Sequence, residues 1–263
     1  METVISYAQT NEDIILYHAL KGESHIFYID IGANDPDWLS VTKFFYENDI
    51  GNGINVEPQV KYKDVYETKR SRDVNLFCGA GNSAGSMDLY GEDTGASFVF
   101  EREKHKKKVS IPIRTLSDIC DEYVQGKSEP IHFLKIDVEG FEKQVIEGMD
   151  FKRYRPWVIA AESDDKEYMD WEPILVENEY KFAIEHGGSR FYAASERPEQ
   201  YRLLCECEKL DEMYKIASMA QYDTLKINYD KLKKEYDSIV NSLCWRMTAP
   251  IRKFGGGKAN KIG

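Results

Sequence analysis

No apolar run in this 263-residue chain approaches the ~20 residues needed to cross a bilayer, so a membrane-spanning protein is not expected. Residues 1–20 carry Glu2, Glu12 and Asp13 and no apolar core, so a secretory leader is not expected either. Cysteine is sparse: Cys78, Cys120, Cys205, Cys207 and Cys244 form no metal-ligand pattern, and Cys205-Glu-Cys207 has no second pair downstream. An odd, scattered set suits reduced thiols in the cytoplasm. There is no basic surplus. The net charge is -11, which argues against a basic nucleic-acid-binding surface. The exception is local: residues 244–263 hold Arg246, Arg252, Lys253, Lys258 and Lys261 and no acid. No internal repeat is visible.

What is present is an alternation of strands and helices. "NEDIILYHAL" (11–20) reads as a helix with Asn11 as N-cap. Buried strands are expected at 26–31, 53–58, 73–80, 131–140 and 156–163, with helices at 39–48, 59–70, 141–149 and 171–180 between them. Residues 86–91 read as an edge hairpin strand. Residues 109–123 read as a short strand, then a helix capped by Thr115 or Ser117. Residues 181–186 and 190–195 form a hairpin around Gly187-Gly188. This order predicts an α/β fold with a doubly wound sheet and helices on both faces. Ligands of such sheets sit outside the carboxyl ends of the strands, which directs attention to Asp30, Glu57, Gly79, Asp137 and Glu162.

The first of these ends is "IDIGANDPDWLS". Dinucleotide sites use three glycines in G-x-G-x-x-G to seat a pyrophosphate. Here there is one, Gly32, and Asp30, Asp35 and Asp37 would repel phosphate. S-adenosylmethionine suits the residues better. Its ammonium and sulfonium favour a nearby carboxylate, and Glu57, at the next strand end, stands where an acid accepts two ribose hydroxyls.

The ordered segments "SYAQTNEDIIL" (6–16), "DIGANDPDWLSVTKFFY" (30–46), "GINVEP" (53–58), "RDVNLFCGAGNSAG" (72–85), "LKIDVEGFEKQVIEG" (134–148) and "WEPILVENEYKFAIEHGGSRFY" (171–192) resemble the FkbM-type family of S-adenosylmethionine-dependent methyltransferases, over about residues 5–205. The resemblance implies the class I, Rossmann-like fold with a mostly parallel seven-stranded sheet. It implies that Asp30, Gly32 and Asn34 line the amino-acid end of the cofactor, that Glu57 takes the ribose, and that Gln9 and Asp13 lie close by; Gly79, at the end of the third strand, is assigned to the cofactor as well. Ser97, in "GASF", stands where relatives carry a short serine motif and is assigned to the substrate. The family is linked to O-methylation of sugars and natural products, and the late "W-E…R-F-Y" segment resembles a subgroup tied to surface polysaccharide. Pro36, Glu167-Tyr168 and His186-Gly187-Gly188-Ser189 depart from the family pattern; the last two leave the acceptor open.

A sugar hydroxyl needs a base or a metal to lose its proton. Strand alternation points Lys135 and Asp137 the same way, so Lys135 either pairs with an acid to fix the loop or helps to activate the acceptor. Asp137 and Glu162, with Glu139, are expected to hold Mg²⁺ or Mn²⁺ through oxygen ligands; the metal-free alternative makes Asp137, Glu139 or His186 the base. Arg190 and Tyr192 are assigned to acceptor hydroxyls or phosphate, against a plain surface pair. The run 104–108, "KHKKK", reads as a solvated hairpin face.

Residues 1–205 are thus read as the catalytic domain and 206–263 as a helical tail. Leu225, Tyr229, Leu232, Tyr236, Ile239 and Leu243 are spaced as a heptad seam, which packs on its own domain or forms a coiled coil with a second copy or a partner. "NSLCWRMTAPIRKF" (241–254) resembles a tail motif of bacterial polysaccharide-assembly proteins and suits peripheral contact with the inner membrane face or with a glycosyltransferase. The expected activity is methyl transfer to a sugar hydroxyl of a glycan or nucleotide sugar. Methylation of a lipid or polyketide hydroxyl and a non-catalytic cofactor-binding scaffold are the alternatives.

Overall fold

A computed structural model describes residues 2–91, 95–99, 108–126, 129–163 and 169–241. It divides into two compact units, Met1–Ser218 and Met219–Gly263. In the first unit the order is β1 (Glu2–Ser6), α1 (Glu12–Ala19), β2 (Ile26–Ile31), α2 (Lys43–Glu47), β3 (Gly51–Val56), α3 (Lys63–Lys69), β4 (Val74–Leu76), β5 (Gly79–Ala80), β6 (Gly85–Tyr90), β7 (Lys108–Arg114), α4 (Leu116–Tyr123), β8 (Phe133–Ile136), α5 (Glu142–Glu147), β9 (Val158–Glu162), α6 (Glu172–Glu177), β10 (Tyr180–His186), β11 (Ser189–Ala194), α7 (Pro198–Glu206), α8 (Leu210–Met213) and β12 (Tyr214–Ser218). The second unit holds α9 (Met219–Asn241).

The main sheet has seven strands in the order β10-β11-β9-β8-β2-β3-β4. β4, β3, β2, β8 and β9 run parallel, and β11 enters antiparallel to both neighbours. This is the predicted doubly wound α/β sheet. Its interior strand β2 is buried at all six positions because a parallel sheet is covered on both faces. Ile29 and Ile31 face one core with Ile54, Leu134 and Ile136; Tyr28 faces the other with Phe45 and Phe133. Each such side chain contributes roughly 1.5–3 kcal/mol by leaving water. Chain order reverses between β2 and β8, which opens a crevice at their carboxyl ends.

Local chemistry explains most boundaries. Thr115 accepts from the Asp118 N–H at 3.0 Å and Asp118 accepts from the Thr115 N–H, a reciprocal cap that starts α4. Gly187 and Gly188 have φ of 60° and 82°, so two left-handed residues turn β10 into β11.

The differences from the sequence reading are specific. The helix expected at 39–48 begins only at Lys43, after Leu39 takes a φ of 58°. The helix expected at 59–70 is a 3₁₀ turn, Val60–Tyr62, followed by α3. The strand expected at 73–80 breaks after Leu76, and Gly79–Ala80 joins β7 and β6 in a separate three-stranded sheet. Asn11 precedes α1 with a φ of 69° but makes no side-chain cap. β1 and β12 pair in parallel, Glu2 with Tyr214 through Ser6 with Ser218, a ribbon the sequence reading lacked. The first unit therefore runs to Ser218, past the expected boundary at 205. Glu167-Tyr168, residues 104–107 of the basic run and residues 242–263 lie outside the described residues.

Candidate active site at the carboxyl ends of the sheet

An open cleft with about 940 Å³ of space, part of it continuous with solvent, lies at the ends of β2, β3, β8 and β9. Gly32 shapes its floor. With φ at 75°, an added Cβ would stand 1.8 Å from the Asp137 carbonyl oxygen, so the loop after β2 crosses the loop after β8 at a point that admits no side chain. The close approach that requires this glycine is to the protein's own backbone. Gly79 is likewise small because a Cβ would lie 2.6 Å from Phe98.

Asp30 is buried at the end of β2. Its Oδ1 lies 3.3 Å from Lys135 Nζ, and its Oδ2 accepts from Thr42 Oγ1 at 3.2 Å. Lys135 also reaches Asp137 at 3.4 Å and donates to the Gly32 carbonyl at 3.1 Å. Burial works against the Lys135 charge, but Asp137 and Asp30 outweigh it and hold the ammonium above its ordinary range. Lys135 is thus paired with acids and spent on fixing the loop.

Glu57 follows β3 and is also buried. Its two oxygens accept from the Asn34 N–H and the Gln59 N–H, each at 2.8 Å. Burial raises its pKa, against those two bonds. After β8 and β9, Asp137, Glu139 and Glu162 bring carboxylate oxygens within 4.8 Å of one another. Glu139 sits at a φ of 56° before Gly140, and two clamps fix that turn: Ser97 Oγ donates to the Glu139 carbonyl at 2.8 Å, and Glu142 accepts from the Val138 and Gly140 N–H groups. Cys78, Leu89 and Phe98 give the cleft an apolar wall.

The chain matches the Methyltransferase FkbM domain over residues 30–186. It belongs to this methyltransferase family. Among solved structures it is similar to the crystal structure of precorrin-6y C5,15-methyltransferase from Geobacter metallireducens GS-15, at 11% identity, with 73% of this chain and 91% of that one covered and a TM-score of 0.38. No curated protein matches the chain.

In this methyltransferase, Gln9, Asp30, Gly32, Asn34, Glu57, Gly79, Lys135, Asp137, Glu139 and Glu162 all line the cleft. Asp13, Ser97, His186, Arg190 and Tyr192 do not. Asp13 is buried behind the cleft, where it accepts from Ser6 Oγ and from the Tyr7, Ala8 and Ile14 N–H groups, and so sets the turn that carries Gln9. Burial pushes Asp13 up to about 7 despite those bonds. His186 Nε2 bonds the Thr10 carbonyl at 2.8 Å, which makes it a donor that pins the same segment, unlike a free base. Arg190 pairs with Glu185 and Glu172, and the buried Tyr192 donates to Glu172 at 2.7 Å. Asp37 is neutralised by Lys43 and Lys69 and Asp35 caps the turn before Trp38, so only Asp30 of the three aspartates faces the cleft.

The sequence reading missed the support behind Asp30. Arg70 and Asp73, with side chains 1% and 0% exposed, form a buried ion pair at 2.8 Å. Arg70 also donates to Tyr28 Oη and Thr42 Oγ1, and Asp73 accepts from Gly53 and Asn55. Thr42 links this network to Asp30. The only signal was an unusual Arg–Asp spacing at the edge of a polar helix, which reads equally as a surface pair.

Proposed function

We propose that this chain is an S-adenosylmethionine-dependent O-methyltransferase that acts on a sugar hydroxyl of a glycan or nucleotide sugar in surface-polysaccharide biosynthesis. One observation carries the reading: Asp30 and Glu57, after β2 and β3, line the same cleft as the Asp137–Glu139–Glu162 cluster after β8 and β9. The donor set fits the cofactor. Asn34 Oδ1 is buried without a hydrogen-bond partner among the described residues, an acceptor suited to an ammonium. Glu57 accepts from the Asn34 and Gln59 N–H groups and from the Gln59 side chain, and a ribose diol would take its remaining lone pair and the place of that side chain. The apolar wall of Leu89 and Phe98 suits a purine face.

When bound, S-adenosylmethionine supplies an electrophilic methyl on sulfonium. The protein's part is to place an acceptor hydroxyl beside it and to take that hydroxyl's proton on a carboxylate of Asp137, Glu139 or Glu162 as the new O–C bond forms. Lys135 orients Asp137 through their ion pair. The same three carboxylates have the oxygen chemistry for Mg²⁺ or Mn²⁺, which would polarise the acceptor oxygen. No helix among the described residues is long and apolar enough to cross a membrane. We place the enzyme in the cytoplasm, with the basic segment after residue 243 making peripheral contact with anionic lipid or a glycosyltransferase.

Calorimetric titration with S-adenosylhomocysteine and, separately, NAD tests the cofactor. Binding of the first alone supports the reading; binding of NAD alone refutes it. Release of S-adenosylhomocysteine in the presence of sugar nucleotides, with and without a chelator, then tests acceptor class and metal.

A further inference from the structure

The helix α9 runs for 23 residues, about 34 Å at 1.5 Å per residue. Tyr222, Tyr229 and Tyr236 recur every seven residues, and so do Leu225, Leu232 and Ile239, three positions further on. In heptad terms the tyrosines are at a and the aliphatic residues at d. All six are between 57% and 70% exposed. A strict seven-residue repeat keeps one face towards a partner helix along a left-handed supercoil.

We propose that α9 pairs in parallel and in register with α9 of a second copy of this chain, so that the protein is a coiled-coil dimer. Charge selects this arrangement. The e positions hold Lys226 and Lys233, and the g positions hold Asn228 and Glu235. Parallel in-register pairing sets e against g, so Lys233 of one copy faces Asn228 of the other. Antiparallel pairing sets e against e and places lysine opposite lysine. Self-pairing also stacks like layers, tyrosine on tyrosine and aliphatic on aliphatic, in alternation. The six side chains offer on the order of 700 Å² per helix, near the ~800 Å² per partner of a stable interface.

Light scattering on the full chain tests this. The expected mass is twice the 30.4 kDa of one chain. Leu232→Asp places a charge in a d layer and is expected to return the mass to one chain, with the thermal unfolding transition retained. Leu225→Cys, otherwise native, is expected to form a disulfide-linked dimer under mild oxidation, well above the parent chain's background, because in-register d positions bring two Cα atoms within disulfide reach. The crosslink decides the matter if Leu232→Asp does not fold. A single-chain mass for the native protein overturns the proposal, even where another protein's helix binds α9. So does a dimer that survives Leu232→Asp, and so does a Leu225→Cys chain that crosslinks no more than its parent.

Discussion

Replacing Glu57 by glutamine isolates the proposed ribose contact. The carboxylate accepts from the Asn34 and Gln59 N–H groups and from the Gln59 side chain, so one of two ribose hydroxyls would take a remaining lone pair and the other would displace that side chain. A ribose diol would therefore gain two hydrogen bonds to a charged acceptor. Such bonds are worth about 1.5–3 kcal/mol each, against about 0.5–1.5 for neutral ones. Glu57→Gln removes the charge from both, and its amide faces one of the two backbone donors. One of the two bonds only replaces that of the Gln59 side chain, so the expected loss is about 1–1.5 kcal/mol, or roughly 5–13-fold in the dissociation constant of S-adenosylhomocysteine. Calorimetry reads this directly, and a retained cooperative melt shows that the variant is folded. The pH dependence has a definite sign. Only the ionised form accepts both hydroxyls, and burial raises this pKa. Affinity is thus complete at high pH and falls on acidification, beginning above the ordinary carboxylate range. A variant that binds within twofold of the parent refutes the ribose assignment.

Arg70→Met leaves Asp73 charged and buried without its ion-pair partner, and is expected to cost about 3–5 kcal/mol in urea unfolding; a loss below about 1 kcal/mol would show that the network does not depend on the pair. His132 is buried neutral: its Nδ1 accepts from the Phe27 N–H at 2.9 Å, and burial pushes it down to about 4, with Glu23 at 3.9 Å too far to offset this. Between its ordinary value of about 6.5 and about 4 the unfolded chain takes up a proton that the folded chain refuses, so stability falls by up to about 3 kcal/mol as pH drops through that window. Urea midpoints at pH 7 and pH 5 check this, and His132→Gln should flatten the difference. His186→Gln is expected to raise KM for the cofactor through the Thr10 segment while leaving kcat near the parent's; a large fall in kcat at unchanged KM would make His186 the base after all.

The alternation of strand and helix was legible because each core strand is a short apolar run bounded by turn residues, and β2, "IFYIDI", is the clearest. The acids at the strand ends were legible for the same reason: once the strands are placed, Asp30, Glu57, Asp137 and Glu162 fall at their carboxyl ends. The pairing of Lys135 followed from its position inside a core strand. What failed depended on distant partners. β1 alternates weakly over five residues, and its partner β12 lies more than 200 positions away. Arg70 is typical of a surface helix until the fold brings Tyr28, Thr42 and Asp73 around it. The bonds of Arg190 and Tyr192 to Glu172 and of Arg190 to Glu185 join α6, β10 and β11 and were equally hidden in the sequence. The break at Phe77-Cys78 was hidden because both halves of "VNLFCGA" are apolar.

The β1–β12 ribbon has a consequence for how the cleft comes into being. Its two strands are nearly the most separated segments of the first unit, so the entropy of bringing them together is among the largest in the fold, and contacts of such high order form late. β1 leads directly into the turn that Asp13 holds and that carries Gln9 to the cleft. The sheet, with Asp30, Glu57 and the carboxylate cluster, can therefore assemble before the Gln9 side of the cleft exists. On that argument the segment with the most costly closure is also the one that finishes the binding site, so competence for a ligand is expected to report that folding is complete.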